Sequence, residues 1–426
     1  MGDGSALSGA GSTDEHRAAS AAAEAVARHS YGKLVAFLAA RTRDVAGAED
    51  ALAQAFAAAL ADWPVRGVPV TPEAWLLSVA RRRLVDTART HHRDGEAAAV
   101  LALLAEVAEP HDDDAVLPDR RLELLFVCAH PGIEPAARAP LMLQCVLGFD
   151  AATIASAFLV APATMGQRLV RAKTKIRQAG IGFEVPTREQ LPQRLDGVLE
   201  AIYAAYAEGW ADSTGADARG RNLAEEAIWL GRLLASLLPR EPEALGLVAL
   251  MLHAHARRDA RRDADGGYVP LAHQDTRRWD SSLIDEAETL LRSAAALRGP
   301  GRYQLEAAIQ SAHSVRRNGG LPDWAAIAQL YEALHQLTGS PVAALNRAVA
   351  LAPLQGAAAA LDALAPLAAD ARLADYQPYW AARADLLAQT GALQEAAHSY
   401  ERAIGLERDP AVREFLQQRA ARVGAA

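Results

Sequence analysis

Positively charged side chains cluster in two short stretches of a chain whose formal net charge is -8. Residues 168–177 hold five cations and no acid, and residues 79–93 hold five arginines against the single acid Asp86. Cations at this density are typical of surfaces that bind polyanions such as the phosphates of nucleic acid. Between them, residues 94–114 hold seven acids and no Lys or Arg. The sequence thus predicts two polyanion-binding surfaces flanking an acidic segment.

The composition favours helices as the elements that position these charges. The 426 residues are 51% hydrophobic but only 5% aromatic. Ala and Leu are strong helix formers, and no stretch shows the alternation of a strand, so we predict an all-α fold. Two cysteines, Cys128 and Cys145, are too few for a disulfide framework. With no apolar run long enough to span a bilayer and no secretion signal, we expect a cytoplasmic protein that does not enter membranes.

Residues 150–176 predict a pair of helices with a tight connection. Ile154, Ala157 and Phe158 have the spacing of a buried helical face, and Pro162 marks the start of a second helix. On the second helix one apolar stripe is expected to pack, and the opposite side carries polar and cationic residues. This is the pattern of a helix-turn-helix, whose second helix enters the major groove of DNA. The alternative for this stretch is an ordinary helical hairpin with a solvated basic face. The stripe comprises Met165, Leu169, Ala172 and Ile176.

The other basic stretch lies on a second amphipathic helix. In residues 71–93, apolar residues at helical spacing face away from the arginines. Upstream, residues 44–64 predict a helix that carries acids at its start and ends before Pro64.

These segments resemble a known family. The acidic helix with Gln54 and Phe56, followed by Trp75-Leu76 and Ala80-Arg81, is similar to region 2 of RNA polymerase sigma factors of the extracytoplasmic-function group. Residues 118–184 resemble region 4, and the later RWD and GRYQLEAAIQSAH segments resemble the large members with a helical C-terminal extension.

The resemblance implies binding to core RNA polymerase and to promoter DNA. Region 2 would contact the polymerase through Asp44, Glu49, Asp50, Gln54 and Phe56, although acids at a helix start also serve as caps. It would capture the -10 element with Trp63, Arg81, Arg82, Arg83 and Arg89, since flipped bases need a pocket and the displaced strand needs cations. Trp75 is assigned to the core.

Region 4 would read the -35 element with its second helix. Thr164, Gln167 and Arg168 are the candidates for contacts to base edges, because they come early in that helix. Contacts to phosphates are assigned to the later cations, Arg171, Lys173, Lys175 and Arg177.

The resemblance and the charge pattern predict six segments. A disordered tail (1–16) precedes region 2 (17–93), an acidic linker (94–117) and region 4 (118–184). The linker would enter the polymerase's RNA exit path or serve as a solvated tether. A helical extension (185–319) follows, and in 320–426 the spacing of Trp380, Gly391, Tyr400 and Pro410 matches a tetratricopeptide unit. Such arrays bind proteins or small ligands.

The loop 253–280 is the densest polar cluster of the extension. His253, His255 and His273 invite a metal interpretation, but no repeated ligand pattern accompanies them. We favour a loop cross-linked by Arg–Asp pairs, with a sensor pocket or a polymerase contact as alternatives. No catalytic motif is found, so no enzyme activity, cofactor or metal is predicted. The competing function is a stand-alone helix-turn-helix regulator with a tetratricopeptide sensor, which leaves residues 44–93 without a task.

Overall fold

The computed structural model of the chain describes residues 8–90, 119–158, 160–187, 189–211 and 218–424. Within these ranges it consists of α-helices, short 3-10 turns and one isolated antiparallel bridge between Arg262 and Tyr268. The all-α prediction is therefore confirmed. The described residues form two compact units. The first contains the residues up to 209 together with 219–226, and the second contains the remainder.

Three long helices open the first unit. They are α1 (Ser8–Thr42), α2 (Val45–Arg66) and α3 (Pro72–Thr90). Arg43, with φ of 55°, separates α1 from α2, and Gly67, with φ of 85°, ends α2 in a conformation that favours glycine. Because α1 begins at Ser8, the described part of the predicted disordered tail is helical. The predicted acidic linker lies outside the described residues.

Four shorter helices follow and form what we call the α4–α7 bundle. They are α4 (Arg121–Cys128), α5 (Pro135–Leu147), α6 (Ala151–Ala157) and α7 (Pro162–Gln178). The carboxylate of Asp150 accepts hydrogen bonds from the backbone N–H groups of Ala152 and Thr153, both at 2.9 Å, and so caps α6. Pro162 begins α7 as its position in the sequence predicts.

The next helix, α8 (Leu191–Ala211), packs on the α4–α7 bundle. Arg194 donates a 3.0 Å hydrogen bond to the carbonyl oxygen of Phe126 in α4. At Gly197 a Cβ would lie 3.1 Å from the carbonyl oxygen of Ala129, so the two backbones approach closely. The first unit therefore extends past the boundary at residue 184 that composition predicted.

The second unit is a succession of helices. It contains the last part of α9 (Ala218–Leu237), then α10 (Pro242–His255), α11 (Ser281–Ala296), α12 (Arg302–Ser314), α13 (Trp324–Thr338), α14 (Pro341–Gln355), α15 (Ala357–Leu364), α16 (Gln377–Gln389), α17 (Leu393–Leu406) and α18 (Pro410–Gly424). Consecutive helices contact each other along α13 to α18. Small residues permit this: Ala384 and Ala403 are fully buried beside Tyr400 and Leu416.

Candidate nucleic-acid interface

Helix α7 presents one polar face to solvent. Its buried residues are the predicted stripe of Met165, Leu169, Ala172 and Ile176, so the orientation of the helix is as predicted. Five of the predicted DNA-contacting residues are exposed, namely Thr164, Gln167, Arg171, Lys175 and Arg177. A short helix, a connection of a few residues and this exposed polar helix can together bind a nucleic-acid groove.

Three of the predicted contacts on α7, including the exposed Arg177, reach neighbouring elements. Arg168 is half-buried, and its Nη1 donates a 3.4 Å hydrogen bond to the carbonyl oxygen of Ala136 at the start of α5. Arg177 is exposed, and its Nη1 lies 3.9 Å from a carboxylate oxygen of Asp44. Lys173 forms an ion pair with Glu49 of α2. These three side chains therefore make contacts inside the first unit, and those contacts compete with binding to nucleic acid.

The ion pair of Lys173 and Glu49 is the most deeply buried charged contact of α7. The side chains are 13% and 6% exposed, respectively. Burial raises the pKa of Glu49, and the charge of Lys173 opposes that rise. Burial alone would lower the pKa of Lys173, but the neighbouring Cys145 and Glu49 outweigh burial, so the pKa lies above its ordinary value. In this arrangement the two residues contact each other, so the predicted DNA contact of Lys173 and the predicted polymerase contact of Glu49 are both engaged inside the unit.

The outward face of α2 carries the other predicted polymerase contacts. Asp50 and Gln54 are exposed. Asp44 stands at the N-terminal end of α2, where its side chain makes no capping hydrogen bond. Phe56 is half-buried, and its ring centroid lies 6.2 Å from that of Tyr31 in α1. Asp50 and Gln54 are thus the predicted contacts that α2 offers to a partner, whereas Phe56 is partly used in packing.

The arginines of α3 differ in their exposure. Arg82 and Arg83 are exposed, and Arg82 donates a 3.2 Å hydrogen bond to the hydroxyl of Ser78. Arg81 is half-buried and lies 5.4 Å from the ring centroid of Phe37, and its burial lowers its pKa. The side chain of Arg89 is outside the described residues. Two exposed cations therefore mark this helix.

Trp63 is placed in the core, which corrects its assignment to the -10 contact. It is 2% exposed, and its ring packs edge-to-face on Trp75 with centroids 5.6 Å apart. A base cannot stack on a ring whose faces are already covered. Trp75 is half-buried. Both tryptophans therefore fix the geometry of α2 and α3.

Two features of this unit escaped the sequence analysis. Val170 lies among the polar residues of α7 and is 64% exposed, so a side chain with an apolar surface belongs to that face. Tyr31 and Gly32 of α1 contact the α4–α7 bundle at Gly148 and Val146. An isolated glycine inside a helical pattern often has a packing reason. Gly32 is such a glycine, so its position in the sequence could have indicated this contact.

Arginines of the loop 253–280 contact a backbone carbonyl, aromatic rings and a carboxylate outside the loop. Arg278 donates a 2.7 Å hydrogen bond to the carbonyl oxygen of Arg262, and Arg262 pairs with Asp409. Arg261 lies 4.4 Å from the ring centroid of Trp210. Trp279 is 4% exposed and lies near the guanidinium of Arg257. These contacts hold irregular backbone in one conformation.

The histidines of this loop do not come together around a metal. His253 is fully buried, with Nδ1 3.2 Å from the hydroxyl of Ser314 and Nε2 3.5 Å from Glu288. Burial, and then the charges of Arg257 and Arg317, lower the pKa of His253 to about 4. Across the described ranges, no group of three or more His, Cys, Asp or Glu side chains is arranged to hold a metal ion.

No helix within the described part of the chain combines the length and the apolar character needed to cross a bilayer.

Comparisons with known proteins agree with the geometry of the first unit. A sigma-70 region 2 profile matches residues 26–94, and a family of unknown function, DUF6596, matches residues 194–295. An uncharacterized protein of Rhizobium meliloti (strain 1021) is 40% identical over 365 residues, which cover 84% of this chain and 86% of that protein. No solved structure matches the chain. The chain belongs to the same family as the Rhizobium meliloti protein, and its sigma-70 region 2 domain supports the role of an RNA polymerase sigma factor.

Proposed function

We propose that the chain is a sigma factor of the extracytoplasmic-function group that binds core RNA polymerase and directs it to promoters. The observation that carries this is the face of α7, where exposed Gln167 and Arg171 stand opposite a buried stripe, in the same unit as the region 2 helices. A sigma factor needs one element for polymerase and the -10 element and another for the -35 element. This unit supplies candidates for both.

Helices α6 and α7 form the proposed helix-turn-helix of region 4. Thr164 and Gln167 are exposed in the first half of α7, the part that meets base edges when such a helix enters the major groove. Glutamine can bind adenine with two hydrogen bonds. Arg171 and Lys175 are exposed further along the helix and are assigned to phosphates. Arg168 joins the base-reading set once it releases Ala136.

Helix α3 and the connection after α2 form the proposed -10 site. Arg82 and Arg83 are exposed and would neutralise the phosphates of the displaced strand, with Arg81 and Arg89 as further members of the set. The connection between Gly67 and Thr71 provides the walls for a flipped base. Val70, which is fully exposed there, supports this assignment, since an apolar side chain can cover the face of a base.

The outward face of α2 is the proposed docking surface for the polymerase. Asp50 and Gln54 are the proposed contact residues because both are exposed on one side of the helix. Asp44 would become part of this surface when Arg177 moves away from it. Glu49 would become part of it when Lys173 moves away. The acidic segment 94–117 would follow the RNA exit path of the polymerase, and the protein would act in the cytoplasm.

The second unit is proposed to regulate the first through a protein or small-molecule ligand. Helices α16 and α17 pair across Gly391, and small buried residues let them touch, as in a tetratricopeptide repeat. A chain that ends at Glu226 keeps the first unit entire and tests this proposal. Provided that its circular dichroism shows folded helices, it should transcribe at a level different from that of the full chain. Equal, equally signal-responsive activity would contradict a regulatory role.

Two binding measurements separate the sigma factor from a stand-alone regulator. The purified full chain is titrated with core RNA polymerase and, separately, with free duplex DNA fragments. A sigma factor binds the polymerase tightly and gains sequence-specific DNA binding only in that complex. Specific binding to free duplex without any binding to polymerase would instead indicate the regulator.

A further inference from the structure

A cavity of about 370 Å³ lies within the second unit. Three elements line it, namely the 3-10 turn Thr276–Arg278 with Trp279 after it, the first turns of α11, and the 3-10 turn Val315–Asn318 that follows α12. Small-molecule sites in proteins measure about 300–1,000 Å³. The cavity is therefore large enough for a small metabolite.

Trp279, which lines this cavity, has a buried indole N–H that is not satisfied by the protein. The residue is 4% exposed, and within the described part of the chain its Nε1 has no hydrogen-bond partner. Buried tryptophans usually find an acceptor for this group, because an unpaired buried donor costs about 1–3 kcal/mol. A ligand that offers an acceptor inside the cavity would satisfy it.

Most of the other lining side chains are hydrogen-bond donors as well. Asp285 is the one acid among the lining residues, all of which lie in the described ranges. Nη2 of Arg317 donates a 2.7 Å hydrogen bond to the Asp285 carboxylate, and Nη1 donates a 3.3 Å bond to the carbonyl oxygen of Ser281. Arg277 pairs at 2.8 Å with Asp275, which is outside the lining. A guanidinium has five N–H groups, so both arginines retain donors for a ligand that is rich in acceptors.

Positive charge collects around Trp279. The guanidinium carbons of Arg257 and Arg316 lie 6.0 and 5.8 Å from the centroid of its ring. Arg316 donates hydrogen bonds to two neutral backbone carbonyl oxygens, which leave its charge in place. Helix α11 begins at Ser281 in the cavity lining, and the N-terminal end of a helix is the positive end of its dipole, although the capping carboxylate of Asp280 offsets part of it. These charges favour an anionic ligand over a neutral one.

We propose that this cavity binds a small molecule through an oxyanion, either a phosphate or a carboxylate group. The oxyanion accepts hydrogen bonds from the indole N–H of Trp279 and from Arg317, which exchanges its contact with Asp285 for the ligand. Guanidinium groups suit both kinds of oxyanion, because they donate two parallel hydrogen bonds. The assignment of this molecule as the regulatory ligand of the second unit rests on the proposed function, whereas the binding itself does not.

The indole N–H signals of the tryptophans report binding at this site directly. The full chain has seven tryptophans, and isotope labelling of their indole nitrogens gives one NMR signal for each. Trp279→Phe identifies the signal of Trp279. The wild type is titrated with inorganic phosphate and, separately, with acetate, at constant ionic strength, and acetamide serves as the uncharged match of acetate.

We expect the signal of Trp279 to shift and saturate with at least one of the two anions and to stay in place with acetamide. The anion that binds more tightly identifies the group on the ligand as a phosphate or a carboxylate. A signal that neither anion moves would overturn the site. An equal response to acetate and acetamide, without a response to phosphate, would also overturn it, because charge would then play no part in binding.

Opposite substitutions in one ion pair distinguish a binding site from a structural contact. Arg317→Gln should weaken anion binding at least about tenfold, because it removes a charged donor. Asp285→Asn should tighten binding about threefold, because Arg317 then no longer pairs with an acid. Arg292→Gln makes the same charge change as Arg317→Gln at an exposed position of α11 outside the lining and should bind as the wild type does.

Both substitutions of the pair break the same internal contact, so a purely structural role would change binding in the same direction in both variants. A folded Arg317→Gln variant with the affinity of the wild type would overturn the proposal, and so would weaker binding by Asp285→Asn. If circular dichroism shows that Arg317→Gln does not fold, Asp285→Asn decides.

Failure of this inference and failure of the proposed function give different results. If the signal of Trp279 does not respond to either anion while the chain binds core polymerase, the site is overturned and the sigma factor assignment stands. If the signal responds and the variants behave as expected while the chain does not bind polymerase, the site stands and the sigma factor assignment fails.

Discussion

Lys173 of α7 and Glu49 of α2 form an ion pair that is almost entirely removed from solvent, and it joins two helices proposed to bind different partners. The sequence patterns assign the two residues to different partners, yet in the fold each neutralises the charge of the other. Loss of either partner would leave the other as an unpaired buried charge, and the same contact limits what either residue can bind.

Removal of one member of this pair should destabilise the first unit. Lys173→Ala leaves the Glu49 carboxylate buried without its partner, which should lower the free energy of unfolding by about 3–5 kcal/mol. Lys175→Ala, two residues further along α7 and exposed, should change it by less than about 0.5 kcal/mol. Urea unfolding of the two variants, followed by circular dichroism, measures the difference. Equal midpoints would show that the pair is not energetically significant.

Substitutions on the exposed face of α7 should separate base reading from phosphate binding. Gln167→Ala should reduce discrimination at one or two base pairs of the -35 element by about 1–3 kcal/mol. Lys175→Ala should weaken binding to every sequence and reduce the salt slope by about 1. Binding of the polymerase holoenzyme to a set of promoter variants at several salt concentrations provides both numbers. A uniform loss for Gln167→Ala would remove it from the base-reading set.

Charge reversal on α2 should weaken polymerase binding. Asp50→Lys replaces an exposed carboxylate of the proposed docking face, and we expect core polymerase to bind about tenfold more weakly, or about 1.4 kcal/mol. Glu200→Lys on α8 makes the same charge change at another exposed position of the same unit and serves as the control. Identical affinities for the two variants would place the docking surface elsewhere.

The second unit should lose stability in mild acid. His253 is buried with a pKa near 4, whereas an unfolded histidine titrates near 6.5. The unfolded chain therefore takes up a proton first, so the contribution of His253 is complete above about pH 6.5 and is lost as the pH falls toward 4. Between pH 7.5 and pH 5 the loss amounts to about 2 kcal/mol.

His253→Gln should remove that part of the pH dependence. His313, whose pKa is also lowered to about 4 by burial, is retained in this variant and should still cause a decline in acid. Thermal or urea unfolding at the two pH values compares the variant with the wild type. A pH dependence unchanged by the substitution would show that His253 is protonated without cost in the fold.

Local patterns predicted the helices and their buried faces well. Pro162 and the apolar stripe of α7 were sufficient to place that helix and its exposed side, because both depend on residues within a few turns of each other. Local spacing of small and aromatic residues likewise predicted that α16 and α17 are two paired helices. Such features follow from sequence because short-range sterics and amphipathicity determine them.

Contacts between distant segments could not be predicted in the same way. Glu49 was assigned to a partner because it is acidic, although it lies four residues after buried Val45 and three before buried Leu52, on the packed stripe of α2. Trp63 lies on that stripe as well. The sequence indicates that such a residue is inside, but the identity of its neighbour, Lys173, depends on how the two parts of the unit dock.

The proposed role is tested most directly by run-off transcription with purified core RNA polymerase on a library of genomic fragments. We predict a small set of defined transcripts that depend on this protein and share sequence elements near -10 and -35. Asp50→Lys should reduce them and Glu200→Lys should not. A protein that binds duplex DNA specifically, fails to bind core polymerase and produces no transcript would contradict the assignment as a sigma factor.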